Sequence, residues 1–336
     1  MTFLEALPGG AQRPSSPHAS VRVEAPGKVN LFLSAAAPTP DGYHPLTTVF
    51  QAVRLIETVT ARCQSAQAAG QITLRLEDHD AAPAPGTSPH PGSAQGAAPA
   101  VPLDERNLAY KAAALLASHT GVEQGVDLTL RKRVPVAGGM AGGSADAAAT
   151  LVACNTLWGT GLSMAELSAL AAQLGADVPF PLTGYTALGT SRGDQLSPLM
   201  TRGTYHWVFA LAPVGLSTPE VFAQLDRRAL PGEPAQVPQG LTAALRAGDP
   251  HELACHMHND LQEPALELRP ELRDVIECAQ ESGALRAMIS GSGPTVAALV
   301  PDATTGARVA RALDASGLCA GTVRTDAPVA GARVMG

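Results

Sequence analysis

The strongest single constraint on this chain is the run Pro135-Val136-Ala137-Gly138-Gly139-Met140-Ala141-Gly142-Gly143-Ser144-Ala145-Asp146-Ala147-Ala148-Ala149. Glycines at this density cannot hold a regular element, while the alanines behind them are the best helix formers. The run therefore predicts a turn that feeds a helix over 142–158. Backbone N–H groups, the Ser144 hydroxyl and the positive end of the helix dipole then converge on one point, a ready anion site. No Lys-Ser or Lys-Thr follows the glycines, so this is not a Walker loop, and Ala137 stands where Gly-x-Gly-x-x-Gly needs its first glycine. A turn that needs small residues for close packing would read the same way.

Around this run the chain is mixed α+β. Residues 1–19 are rich in Pro, Ser and Ala without a period and read as a disordered tail. Alternating valines and leucines between Val21 and Leu33 predict strand, broken at Ala25-Pro26-Gly27. Extended segments follow at about 47–61 and 71–77. Residues 80–102 collapse to Ala, Pro, Gly, Ser and His and read as a flexible insertion within a domain. A helix at 107–117, a strand at 126–130 and a helix opening at Ser163, with Glu166 as its capping-box partner, come next. Strands are predicted at 185–188, 207–211, 286–289, 295–300 and 320–325, and helices at 219–226, 250–256, 270–282 and 304–315. This irregular order points to α+β rather than a doubly wound sheet. A length of 336 residues suits two domains.

Net charge is −7, without a long basic block, which argues against a nucleic-acid partner. No apolar run reaches the roughly 18 residues of a membrane span, and the N-terminus carries no export signal. Five scattered cysteines without a Cys-x-x-Cys pair fit a reducing cytoplasm. Of 23 basic residues only Lys28, Lys111 and Lys132 are lysines, so each is a candidate for work that needs a compact ammonium. Asp177, in Gly175-Ala176-Asp177-Val178-Pro179-Phe180, sits among apolar neighbours, where a carboxylate calls for a cationic or metal partner, although an ordinary turn aspartate ahead of Pro179 reads the same way. Ser290-Gly291-Ser292-Gly293 offers further backbone donors. His251, Cys255, His256 and His258 have the residue types of a metal site without its spacing, and Ser292 lacks the Gly-x-Ser-x-Gly elbow of a hydrolase.

Read in order, Ala25-Pro26-Gly27-Lys28-Val29-Asn30-Leu31-Phe32-Leu33, Asp41-Gly42-Tyr43-His44, Phe50-Gln51, the glycine-rich run, Gly-Ala-Asp-Val-Pro-Phe at 175–180 and Ser-Gly-Ser-Gly at 290–293 resemble the small-molecule kinases of the GHMP superfamily. Within it, Asp-Gly-Tyr-His and Gly-Ala-Asp-Val-Pro are similar to the branch serving non-mevalonate isoprenoid synthesis. The resemblance spans about 21–326. It implies a two-domain fold, with an N-terminal ATP-binding domain over 20–190 and a C-terminal ferredoxin-like α/β sandwich over 191–330. It also implies ATP and Mg²⁺, and phosphorylation of the 2-hydroxyl of 4-(cytidine 5'-diphospho)-2-C-methyl-D-erythritol.

By the same resemblance Pro135, Val136, Ala137, Gly138, Gly139, Met140, Ala141, Gly142, Gly143, Ser144 and Ala145 hold the nucleotide phosphates. Lys28 and Asp177 are the catalytic pair. Asn30, Tyr43 and His44 contact substrate, Lys132 and Thr218 join them, and Ser144 is the candidate metal contact. Asp177 would accept the proton of the attacking hydroxyl. Lys28 beside it would keep it ionised, since an opposite charge within about 4–6 Å lowers a carboxylate pKa by ~1–3 units. Tyr43 and His44 are suited to stack on and hydrogen-bond cytosine. The sequence departs from the family pattern at Met140-Ala141, where Leu-Gly is usual, and at Ala145, where a second Ser is usual. Competing readings are a kinase of homoserine or a mevalonate derivative, which Asp-Gly-Tyr-His opposes, and a non-catalytic nucleotide-binding regulator, which Lys28 and Asp177 oppose.

Overall fold

The computed structural model describes residues 20–64, 70–77, 87–89, 101–136 and 138–335. The segment read as a tail, 1–19, lies outside the described residues, as does all of 80–102 except 87–89 and 101–102. The chain opens with two long antiparallel strands, β1 (Ser20–Ala35) and β2 (Leu46–Cys63). The break predicted at Ala25-Pro26-Gly27 is not there: β1 runs through it. The Pro-Gly pair is absorbed as a register shift between Pro26 and Gly27, and a second shift follows between Asn30 and Phe32. A bulge of this kind bends a strand without ending it and tolerates the missing N–H of proline.

Next come β3 (Ile72–Leu76), the short β4 (Thr87–Pro89), α1 (Leu108–Thr120) and β5 (Val126–Arg131). Asn107 caps α1 by accepting the Ala109 N–H, and a left-handed Gly121 ends it. α2 (Gly142–Trp158) begins as predicted, and α3 (Met164–Leu174) carries the full Ser163–Glu166 capping box. The chain continues through α4 (Pro179–Thr183), β6 (Thr186–Thr190), β7 (Gln195–Pro198), β8 (Tyr205–Leu211), α5 (Thr218–Leu225), α6 (Gln239–Ala247) and α7 (Pro250–His256). It then forms β9 (His258–Asn259), α8 (Gln262–Leu268), α9 (Leu272–Glu281), β10 (Arg286–Ile289), β11 (Val296–Val300), α10 (Ala303–Ser316), β12 (Gly321–Ala327) and β13 (Arg333–Met335). The sequence reading missed α4, α6, α8, β7, β9, β13 and, within the segment read as a flexible insertion, β4. α4, α8 and β7 are short, and α4, α6 and α8 begin at or close to prolines.

One sheet has the order β13-β1-β2-β5-β3, with β6 and β7 extending from β2 and β9 lying parallel to β1. α2 packs against β1, β2 and α1. It is buried almost all round, which a surface helix is not; its alanines let it approach that closely. The second sheet runs β10-β11-β8-β12-β4. Its four main strands follow a β-α-β-β-α-β path with α9 and α10 packed against them, the ferredoxin-like arrangement.

Among the described residues three large apolar cores result, beside a small fourth cluster of Phe50, Ala52, Phe180 and Ala187. Val23, Val59, Leu128 and Leu151 fill the space between the first sheet and α1–α3. Val29, Leu31, Met140, Trp207 and Leu299 lie between the two sheets. Leu33, Val208, Val275 and Leu313 pack beneath the helices of the second sheet. β1 contributes to all three. Among the described residues no helix is long and apolar enough to cross a membrane.

Candidate active site

The glycine-rich run leaves β5, turns over the middle of β1 at Gly27–Lys28 and enters α2. Lys28 N–H donates to the Met140 carbonyl (3.1 Å), which pins the turn to the strand. Gly139 has φ +71°, and a Cβ there would stand 2.2 Å from the Ser290 carbonyl oxygen, so only glycine fits. The turn at 290–293 thus abuts the first glycine turn. Asn259 holds it in place by donating through Nδ2 to the carbonyls of Ile289 (2.9 Å) and Gly291 (2.8 Å). No side chain caps the N-terminus of α2, and its first turn carries no acidic residue at the positions that would neutralise the dipole. Those free N–H groups border a cavity of about 350 Å³ lined by Pro135, Gly138–Gly143, Ser144 and Lys132. A phosphate chain suits such a surface. A larger hollow of about 510 Å³ on the open face of the first sheet, lined by Arg22, Arg62, Arg75 and Arg131, contains none of the residues singled out from the sequence.

Lys28 stands where the two glycine turns meet. It is 4% exposed, and a Cβ on Gly291 would lie 3.1 Å from its Nζ. Nζ donates to Asn30 Oδ1 (2.6 Å), and Asn30 Nδ2 donates in turn to Thr48 Oγ1 (2.8 Å). The bulges in β1 flank this pair. Asp177 Oδ2 is 3.9 Å from Nζ, with the carboxylate 42% exposed and the ammonium behind it. Burial lowers the Lys28 pKa, and the Asp177 charge only partly restores it. The cationic partner that the aspartate calls for in sequence is therefore present.

Lys132 is placed differently. Its ammonium lies 2.7 Å from Glu57 Oε1 and also pairs with Asp146 Oδ2, both carboxylates being buried. Burial, with the charge of Asp146, pushes the Glu57 carboxyl up to about 7 against the pull of Lys132. Burial likewise pushes Asp146 up to about 6. On Lys132 burial acts downward, but the two carboxylates outweigh it and raise the ammonium. Lys132 thus lines the glycine-loop cavity, engaged by two buried acidic partners.

Tyr43 and His44 follow the turn at Thr39–Gly42. Tyr43 is 53% exposed, and the Arg192 guanidinium, itself paired with Asp41 (2.6 Å), lies 3.7 Å from its ring centroid. His44 is buried against Phe222 of α5, ring centroids 4.8 Å apart. Its Nδ1 donates to the Ala36 carbonyl (2.8 Å), because a carbonyl can only accept. Only Nε2, 3.4 Å from Asp226 Oδ1, is left for a ligand. Thr218, at the start of the same helix, shares a hydrogen bond with Ser292 (2.7 Å). α5 thereby links the Tyr43–His44 turn to the glycine turn beside Lys28. Glu57, Asp146, Asn259 and Arg192 are the residues the sequence reading overlooked. The one available signal was Glu57 itself, a lone charge in the apolar stretch Leu55-Ile56-Glu57-Thr58-Val59.

Residues 107–185 match the family model of the GHMP kinases N terminal domain, and residues 241–318 that of the GHMP kinases C terminal domain. The chain is 49% identical over 316 residues to the 4-diphosphocytidyl-2-C-methyl-D-erythritol kinase of Thermobifida fusca, covering 94% of this chain and 98% of that protein. It is 46% identical to the enzyme of the same name from Mycolicibacterium gilvum, over 99% of this chain and 98% of the other. A crystal structure of 4-(cytidine 5'-diphospho)-2C-methyl-D-erythritol kinase superposes with a TM-score of 0.71 at 29% identity, covering 92% of this chain and 99% of that one. Homoserine kinase from Cytophaga hutchinsonii superposes with a TM-score of 0.69 at 20% identity over the whole of both chains, a likeness of fold alone. With this fold, these two domains and relatives that match along nearly its whole length, the chain belongs to the 4-diphosphocytidyl-2-C-methyl-D-erythritol kinases, a family of ATP-dependent GHMP small-molecule kinases.

Proposed function

We propose that this chain transfers the γ-phosphoryl group of ATP to the 2-hydroxyl of 4-(cytidine 5'-diphospho)-2-C-methyl-D-erythritol, a step in non-mevalonate isoprenoid precursor synthesis, as a cytoplasmic enzyme. The observation that carries the reading is the Lys28–Asp177 pair, a buried ammonium behind a half-exposed carboxylate, beside the joined glycine turns and the uncapped start of α2. Phosphoryl transfer asks little covalent chemistry of a protein and much positioning and charge neutralisation. Asp177, on the open side, accepts the proton of the attacking hydroxyl. Lys28, steadied by Asn30, offers its remaining donors to the transferring group. The glycine turn and first turn of α2 receive the phosphates on backbone N–H groups.

Mg²⁺ fits this surface in the way it usually fits kinases, taking most of its oxygens from phosphates and water and few from protein. Among the described residues no cluster of three acidic, His or Cys side chains forms a cage of its own. The Ser144 hydroxyl, in the first turn of α2, is the protein oxygen best situated to join it. When bound, the ion neutralises charge on the β- and γ-phosphates.

At the other end of the site, Tyr43 presents an exposed ring for the cytosine face. His44 Nε2, 3.4 Å from Asp226 Oδ1, is the ring nitrogen left to meet the polar edge of the base. A coupled assay of ADP release tests the whole reading. We expect turnover with the cytidine diphosphate substrate and not with homoserine or mevalonate. Comparable turnover of free 2-C-methyl-D-erythritol 4-phosphate would overturn the base-recognition part.

A further inference from the structure

We infer that Glu57 is the positioning residue of the nucleotide loop: one buried carboxylate on β2 fastens the chain entering the loop and, through Lys132, the helix leaving it. The inference rests on the reading of the glycine-rich turn as the nucleotide site. The β2–β5 ladder ends at the pair Thr58–Arg131, after which the chain departs from the sheet toward the glycines. Backbone carbonyls no longer receive its next N–H groups. The Glu57 side chain takes over, Oε2 accepting from Arg133 N–H (2.9 Å) and Oε1 from Val134 N–H (3.2 Å). Glu57 thereby holds two further N–H groups, those of Arg133 and Val134, with a side chain in place of a strand.

The same carboxylate reaches the far limb of the loop. Lys132 Nζ bridges Glu57 to Asp146 in the first turns of α2, and a Cβ on Gly142 would stand 3.1 Å from Glu57 Oε1. Both ends of a segment rich in glycine are thus tied to one fully buried group on a third element. An apolar cluster of similar volume would hold the fold at no greater cost, because buried ion pairs recover little beyond their own desolvation. What an apolar cluster cannot do is accept two backbone N–H groups and fix where the turn begins. Loosening that anchor gives back conformational freedom to the glycines, and a nucleotide must then order them again on binding.

The test is steady-state kinetics on Glu57→Gln and Glu57→Asp in the full chain, with melting temperature measured on the same samples. Gln keeps an acceptor and loses the charge; Asp keeps the charge and withdraws it by one methylene. We expect KM for ATP to rise about tenfold or more in Glu57→Gln, as for loss of a charge-assisted hydrogen bond. The rise in Glu57→Asp should be smaller. In both, kcat should stay within about threefold and KM for the cytidine substrate within about twofold. If the Gln variant fails to fold, the Asp variant decides by the same split. A lower melting temperature with KM for ATP unchanged overturns the inference, since that is what a merely structural carboxylate would do. Hydrogen exchange of the parent protein with and without a non-hydrolysable ATP analogue separates the two readings. Slowed exchange at 138–144 with unchanged KM values in the variants overturns the role of Glu57 alone. Absence of that protection overturns the nucleotide reading and this inference with it.

Discussion

Two lysines flank the glycine-rich turn, and the chain treats them oppositely. On the closed side Lys132 is held between two buried carboxylates, Asp146 and, at 2.7 Å, Glu57. On the open side Lys28 has a single carboxylate at 3.9 Å, and that carboxylate faces out. Identical residue types therefore serve two ends. A close, buried, multiply paired ammonium fixes backbone, whereas a longer pair with one partner exposed leaves the carboxylate open on its outer side to a hydroxyl. Residue type alone does not distinguish the pair proposed as catalytic from the architectural one; the separation and the exposure of the carboxylate do.

The difference can be broken most decisively at Asp177. Asp177→Asn keeps the shape and loses the basicity, so kcat should fall ~10²–10⁴-fold while the KM values and the melting temperature hardly move. An unchanged kcat in the folded variant would remove Asp177 from the chemistry and leave the open pair without a purpose. On the closed side, Lys132→Met strands two buried carboxylates without their cation and should cost about 3–5 kcal/mol of stability, read as a lower denaturant midpoint. A neutral result there would mean that the carboxylates simply take up protons, and the contrast would dissolve.

Two smaller effects sharpen the picture. Tyr43→Ala, on the open side, should raise KM for the cytidine substrate by about tenfold, because stacking of one base on an aromatic ring is worth ~1–3 kcal/mol. KM for ATP should not change. Equal rises in both would show that the Tyr43 turn shapes the whole cleft instead of reading the base. Smallest is Ala141→Gly. Ala141 has φ +58° and ψ +35° at the entry to α2, a left-handed conformation that costs a residue with a Cβ ~1–2 kcal/mol. Glycine removes that strain and adds some chain entropy, so thermal denaturation should report a gain of about 1 kcal/mol or less.

The departure from Leu-Gly at Met140-Ala141 was visible in the sequence, but its physical meaning was not, because a backbone dihedral is not written in residue type. Met140 proves to be a core residue, buried with Val134 and Trp207, so its extra bulk is taken up by the packing between the sheets. The catalytic candidates were legible for a simple reason. Lysine is rare here, and an aspartate between Ala176 and Val178 is conspicuous. Glu57 was harder. Its partners Arg133 and Val134 lie 76 and 77 residues away, and only the register of β2 against β5 reveals that its side chain completes a ladder. The predicted break in β1 failed for a related reason: Pro-Gly ends a strand in isolation, but β2 pairs the strand on both sides of it through the bulge.

That unbroken first strand has a consequence for how the molecule comes apart. β1 supplies Val23 to the core beneath α2, Leu31 to the core between the sheets and Leu33 to the core under α8–α10. Neither half can lose its packing without withdrawing a strand that the other half needs. Denaturation should accordingly be a single cooperative event rather than two, with circular dichroism and tryptophan fluorescence tracing coincident curves. A destabilising change in any of the three cores would then be felt at Lys28, which rides on the strand they share.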